Sequence, residues 1–202
     1  MKLYYFPIAP NPTKVRVYLA EKGIELESVR VNLPEGEQRG AAHLARNPAG
    51  KLPVLELADG SFLTESLPII EYLEELHPEP VLIGASPEER ARVRCIERLV
   101  DTGVLSAGAR AVHATNSPLG LPASPEIAGA ALEILEVGLA QVDGLLADTP
   151  FVAGDHVTIA DCTLWAGLQF MAFFGIERAA ARPNVARWRQ TFGERPSSRL
   201  PG

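Results

Sequence analysis

The sequence predicts an α/β N-terminal domain followed by an all-α C-terminal helical-bundle domain, and three observations carry that prediction. Residues 1–78 alternate short strand-like and longer helix-like segments. The stretch His77-Pro78-Glu79-Pro80 cannot continue a helix, because proline removes a donor and clashes with the preceding turn. From Ser86-Pro87 onward the apolar spacing is helical almost throughout. The expected domains are therefore residues 1–78 and 86–202, with a linker between them.

In order, Lys2 to Phe6 is aromatic and bounded by Pro7, which reads as a strand. Thr13 to Lys22 carries Val15, Val17, Tyr18 and Leu19 and is stopped by Gly23, a helix. Glu25 to Val31 alternates loosely as a second strand, and Gln38 to Arg46 is a short helix ending before Asn47-Pro48. Val54–Leu57 and Ser61–Leu63 flank Asp59-Gly60, a hairpin signal. Ser66 to Leu76 places Ile69, Ile70, Leu73 and Leu76 on one helical face.

In the second half, Ser86-Pro87-Glu88-Glu89 supplies a cap, a first-turn proline and an acidic first turn for a helix running past Val100 to His113. Asn116 to Pro125 is a loop. Glu126 to Leu146 is helical, with Gly129, Gly138 and Gly144 expected to permit close packing. Thr158 to Phe174 is apolar nearly all round, so it should be a buried central helix. Thr158 with Asp161 makes a capping box at its start, with Val157 and Cys162 placed to form a staple. Pro183 to Phe192 is a last helix, and the tail from Arg195 to Gly202 should fray.

Composition narrows the function. A hydrophobic fraction of 47% is ordinary for a globular core. A net charge of -6 gives no electrostatic footprint for nucleic acid or an anionic membrane. No apolar run approaches the roughly 20 residues that span a bilayer, and the N-terminal apolar stretch is too short for a signal peptide, so a cytoplasmic protein is expected. Cys95 and Cys162 form no spaced cluster, which argues against a zinc site or disulfide framework; each reads as a small buried apolar residue.

Four local features carry chemistry. Asn11-Pro12 suits an N-cap and first helical position, and a helix start there lowers the pKa of a nearby thiol. Within Asn47-Pro48-Ala49-Gly50-Lys51-Leu52-Pro53-Val54-Leu55, Pro53 opens a strand where its missing N–H is tolerable. Glu65-Ser66 sits where a hairpin strand meets a helix; a cap and an acceptor there fit the head group of an α-amino acid. Gly154-Asp155 with Thr158 and Asp161 is structural.

Together these motifs resemble the glutathione transferase family, of the cytosolic, bacterial-like type, over essentially the whole chain. The resemblance implies a thioredoxin-like N-terminal domain, glutathione as co-substrate, a small electrophilic, peroxide or disulfide second substrate, and a homodimer with the arginines Arg90, Arg92, Arg94 and Arg98 at its rim. It implies that Pro53 is a cis-proline, that the Leu52 main chain pairs with glutathione's cysteinyl backbone, and that Glu65 and Ser66 bind the γ-glutamyl end. Gln38 and Lys51 match positions that meet the glycyl carboxylate, with His43 a further candidate. One departure stands out: Ala9 occupies the place of the usual hydroxyl or thiol beside the sulfur. Asn11 matches a bacterial branch and becomes the expected catalytic residue, because its amide can donate to a thiolate; Tyr4, Tyr5 and Thr13 are the nearby alternatives. The second-substrate pocket is expected from Arg98, Asp101, Thr102, Leu105 and Ala109, with Phe170 as an aromatic wall while Phe173 and Phe174 belong to the core. The rival readings are a non-catalytic scaffold of the same fold and a glutathione-dependent isomerase or dehalogenase.

Overall fold

A computed structural model describes residues 1–200. Its sheet is four-stranded, in the order β2-β1-β3-β4, with β1 Lys2–Tyr5, β2 Glu27–Arg30, β3 Val54–Glu56 and β4 Phe62–Thr64. β1 runs parallel to β2 and antiparallel to β3, with Tyr4 opposite both Val29 and Val54. The β3–β4 hairpin closes at Asp59-Gly60, where Gly60 has φ 83° and the Asp59 carboxylate accepts from the Ser61 N–H at 2.9 Å.

Helix α1, Pro10–Lys22, ends where Gly23 turns left-handed at φ 66° and the Ile24 N–H reaches back to the Leu19 carbonyl at 2.9 Å. The expected helix around residues 38–46 is split into a 3-10 turn, Glu37–Arg39, and α2, Ala41–Leu44. α3 spans Ser66–Leu76 as read from the sequence. The sheet with α1 to α3 is the thioredoxin-like part of the fold.

The helical bundle opens with α4, Pro87–Val100, capped reciprocally by Ser86 and Glu89. The chain then winds through one π-helical segment, Asp101–Ser106, into α5, Ala107–Thr115. α6 is Pro125–Leu145, α7 Ile159–Phe173 and α8 Pro183–Gly193. Of the three α6 glycines only Gly138 has a packing reason: a Cβ there would lie 2.4 Å from the Gly103 carbonyl oxygen, whereas Gly129 and Gly144 face open space. α7 is buried almost throughout. Asp161 does more than complete the capping box with Thr158. Its carboxylate also accepts from the Val152 N–H at 3.0 Å and the Trp188 indole N–H at 2.9 Å, tying a loop and α8 to the start of α7.

The tail departs from expectation. Arg195 pairs with both oxygens of Glu21 at 2.7 Å, the Ser197 hydroxyl donates to the same carboxylate, and Pro196–Ser198 forms a 3-10 turn. Fraying is prevented because α1 offers a half-buried acceptor; Pro201 and Gly202 lie outside the described residues. Cys95 also differs: it is exposed on α4, because the apolar stripe of that helix runs through Val93 and Val100. Cys162 is buried as expected, and burial pushes its thiol pKa up. Among the described residues no helix is long and apolar enough to cross a membrane.

Candidate active site at the start of the first helix

The loop after β1 delivers α1 with an unusual start. The N-cap is Ala9, with Pro10, Asn11 and Pro12 as the first three helical residues, which corrects the assignment of Asn11 as cap and Pro12 as first residue. Ala9 has no side-chain acceptor, and no cap hydrogen bond forms. Pro10 and Pro12 carry no N–H, and the Thr13 N–H is spent on the Ala9 carbonyl at 3.0 Å. Asn11 is thus the one residue of this first turn with a backbone N–H to offer, at the positive end of the helix dipole.

Two of the three alternatives to Asn11 have their hydroxyls committed elsewhere. The Tyr4 hydroxyl donates to Glu56 at 2.6 Å. The Thr13 hydroxyl donates to the Pro7 and Ala9 carbonyls at 3.0 and 2.9 Å. Arg16 lies over the Tyr5 ring, 4.4 Å from its centroid.

The start of α3 meets the start of α1. The Ser66 hydroxyl donates to the Asn11 side-chain oxygen at 3.0 Å, across 55 residues of sequence. Ser66 is the first helical residue and not the cap; that position belongs to Glu65, whose side chain makes no cap bond. Glu65 is exposed and has φ 69°, the single positive φ on a non-glycine residue among the described residues. Such a conformation costs on the order of 1–3 kcal/mol and clusters at functional sites.

Asn11, Lys14, Glu65, Ser66, Arg98 and Asp101 line one cavity of about 420 Å³ between the sheet region and the helical bundle. Lys14 is almost wholly buried and pairs with the buried Glu97 of α4 at 2.5 Å, with the Thr163 hydroxyl donating to the same oxygen at 3.0 Å. That pair neutralises a cation lying near the positive end of α1, where it would otherwise oppose the dipole. The other oxygen of Glu97 is buried without a partner.

The 51–53 segment is held from behind. The Leu52–Pro53 peptide is cis. The Lys51 carbonyl accepts from the Asn47 side-chain amide at 3.0 Å and faces the His43 Nε2 at 3.0 Å. His43 is not an exposed helix residue: it is buried, with Nε2 against that carbonyl and Nδ1 buried without a partner. Gly50, with φ 62°, lets the loop approach the Gln38 carbonyl; a Cβ there would lie 3.1 Å from that oxygen. Gln38 is buried with its side-chain oxygen unpartnered, while Lys51 is exposed.

The residues expected to line a second pocket are dispersed. Arg98 and Asp101 face the cavity that holds Asn11 and Ser66. Thr102 turns its hydroxyl back to the Arg98 carbonyl at 2.7 Å. Leu105 is 1% exposed, pressed against Gly167, and Phe170 is 3% exposed between His113 and Phe174, so both belong to the core. Phe173, in contrast, is 67% exposed. The π-helical segment explains the reshuffling, because its wider turn shifts which residues of 101–106 face the cleft. Sequence periodicity carries no signal for it. Lys14 and Ser106 were likewise missed as lining residues; Lys14 reads as an ordinary charged helix position until Glu97 is found opposite it.

Comparison with known proteins matches this geometry to a family. Residues 3–81 match the model for the glutathione S-transferase N-terminal domain, and residues 95–191 that for its C-terminal domain. The chain is 32% identical to glutathione S-transferase 2 of Saccharomyces cerevisiae, over 98% of this chain and 87% of that protein. It is 34% identical to the maleylacetoacetate isomerase of Pseudomonas aeruginosa, over 87% of this chain and 84% of that protein. Among solved structures it is similar to a glutathione S-transferase domain-containing protein of Marinobacter aquaeolei, with a TM-score of 0.92, 34% identity and coverage of 98% and 100% of the two chains.

Proposed function

This chain belongs to the glutathione S-transferase family, and on that premise we propose that it binds glutathione along the starts of α1 and α3, stabilises its thiolate, and promotes attack on an electrophile, a disulfide or a peroxide. It is an enzyme with glutathione as co-substrate. The observation that carries the assignment is the meeting of Asn11 and Ser66 in one cavity with Glu65. The γ-glutamyl carboxylate is received by Ser66 and the α3 start, and the ammonium by Glu65. The Leu52 main chain, before the cis Pro53, takes the cysteinyl backbone, and Gln38 and Lys51 take the glycyl end. Asn11 contacts the sulfur, through its backbone N–H, its side-chain amide, or both. Lowering a thiol pKa by about two units requires ~2.7 kcal/mol of differential stabilisation, within reach of one charge-assisted hydrogen bond plus a helix terminus.

The second substrate approaches from the helical side, where Thr102, Leu105 and Phe170 sit on the elements that form the far wall of the cleft; Leu105 and Phe170 support that wall from within the core. Residues 1–78 and 86–202 act as two domains. A detoxifying role, a cytoplasmic location and a homodimer complete the reading, the dimer supported by the exposed Phe62 and Leu76 and by Arg92 on the surface of α4. Two-fold pairing is the commonest symmetric solution, and a monomer mass in light scattering at micromolar concentration contradicts it. The likeness to an isomerase favours a second reading, in which the thiolate adds to a double bond and leaves again. Calorimetry with glutathione tests the binding, and mass analysis separates the two reactions: conjugation yields a thioether, isomerisation returns glutathione unchanged.

A further inference from the structure

Two donors converge on the Lys51 carbonyl oxygen: the Asn47 side-chain amide at 3.0 Å and, from α2, the His43 Nε2 at 3.0 Å. A carbonyl oxygen only accepts, so the His43 ring carries a hydrogen on Nε2. In the neutral ring Nδ1 is then an acceptor, and it is buried without a partner. A phenyl ring would fill the same buried place and leave no polar atom unmet, and an unmet buried polar atom costs free energy. What the imidazole adds at this place is the Nε2–H.

Asn47 is held so that its amide donor, and not its oxygen, faces the same carbonyl. Its side-chain oxygen accepts from the Ala49 N–H at 3.0 Å, and its main-chain carbonyl from the Gly50 N–H at 2.9 Å. The peptide that carries the Lys51 carbonyl also carries the Leu52 N–H. That peptide is not among the cis bonds of the chain, so its C=O and N–H lie antiparallel in one plane. Drawing the carbonyl toward His43 and Asn47 therefore aims the Leu52 N–H away from α2. Among the described residues that N–H donates to no other group of the chain.

We propose that His43 is a positioning residue: through the Lys51 carbonyl it fixes the plane of the 51–52 peptide and so presents the Leu52 N–H to the carbonyl of a bound peptide. The assignment rests on the reading that the Leu52 main chain pairs with the cysteinyl backbone of glutathione. His43 itself touches no ligand. Its ring acts from behind the loop, and Asn47 is the second clamp on the same oxygen.

The test uses three variants of the full-length chain. His43→Phe keeps a ring and removes the donor, His43→Gln brings an amide N–H near the place of Nε2, and Asn47→Asp keeps the acceptor for Ala49 while removing the other donor. In calorimetry with glutathione, His43→Phe and Asn47→Asp should each weaken binding about five- to tenfold, the size of one lost hydrogen bond. His43→Gln should recover most of that loss. Amide exchange followed by NMR adds a readout that packing alone does not move: glutathione should protect the Leu52 N–H in the parent and in His43→Gln, but not in His43→Phe. The ring-nitrogen signals of the parent, with His43 identified by its loss in His43→Gln, should show the hydrogen on Nε2. Should His43→Phe not fold, Asn47→Asp and the ring-nitrogen signals carry the test. With a parent that binds glutathione, equal affinity in His43→Phe, no recovery in His43→Gln, or a hydrogen on Nδ1 alone each overturns this assignment and leaves the glutathione reading standing. A parent that binds no glutathione overturns that reading and this assignment with it.

Discussion

The two ends of α1 solve opposite problems. At its C-terminal end the buried polar groups are paired. Lys22 donates to the carbonyls of His77 and Pro80 at 2.6 Å and pairs with Glu74 at 2.7 Å. Glu74 in turn accepts from the Tyr18 hydroxyl at 2.7 Å and from the Leu82 and Ile83 N–H groups. This network fastens the linker to the sheet region. At the N-terminal end polar capacity is left over: an alanine cap, one N–H on Asn11, a strained Glu65 and an unpartnered oxygen on Glu97. Stability asks for satisfied groups and binding asks for unsatisfied ones, so the same helix is structural at one end and receptive at the other.

The sharpest way to test the closed end is Glu74→Ala. It removes the counter-charge of the buried Lys22 ammonium and leaves two backbone N–H groups unpaired, and stability should fall by about 3–5 kcal/mol. Urea unfolding measures the loss, and Lys22→Met with Glu74→Leu should recover part of it, because an apolar pair of similar volume removes the stranded charge. A Glu74→Ala protein as stable as the parent breaks the contrast.

Asp161 extends the closed side with a pH signature. Burial raises its pKa from 3.8 to about 6, against the backbone and side-chain donors that surround it. Between these values the folded chain binds more protons than the unfolded one, so this group's contribution is full below about pH 4 and is lost as pH rises through about 6. The change is of the order of 3 kcal/mol. The difference in Tm between the parent and Asp161→Asn should therefore shrink from pH 4 to pH 6; a difference independent of pH refutes the shift.

At the open end the expected effects move binding and not folding. Ser66→Ala should weaken glutathione binding by ~1–3 kcal/mol in calorimetry, with Tm nearly unchanged because Glu65, not Ser66, occupies the cap. A loss of Tm with unchanged affinity makes Ser66 structural. The smallest effect is expected from Asn11→Asp. It keeps an acceptor for the Ser66 hydroxyl and costs no cap, but sets a negative charge beside the thiolate. The bound thiol's pKa should rise by about one unit, equivalent to ~1.4 kcal/mol, as read by ultraviolet titration. With no rise, the α1 terminus acts alone. A Cys95→Ala, Cys162→Ala control keeps activity if the nucleophile belongs to glutathione.

Most of the fold was legible because its signals are local. The Gly23 stop, the Asp59-Gly60 turn, the Ser86 and Thr158 caps and the bounds of α3 each depend on a few neighbouring residues, and each stands where the sequence placed it. The start of α1 was misread by two residues because Asn11-Pro12 is a good local cap, whereas the chain uses Pro10 instead. The site was legible as motifs and illegible as geometry. Asn11 and Ser66, or Lys14 and Glu97, are 55 and 83 residues apart, and no local rule pairs them.

The sequence by itself determined the two-part architecture, the element order, the helix stops and most of the residue types that the site needs, since periodicity, capping and proline chemistry act within a turn or two. Tertiary structure decided which groups remain unpaired. Thr13 and Tyr4 could each have met a ligand, and packing spent both hydroxyls on the protein's own acceptors. Asn11, Gln38 and Glu65 kept free capacity because the surrounding elements approach closely enough to bury or frame them without satisfying them. Whether a polar group is free depends on the sum of its contacts from every element nearby, and that sum exists once the chain has folded.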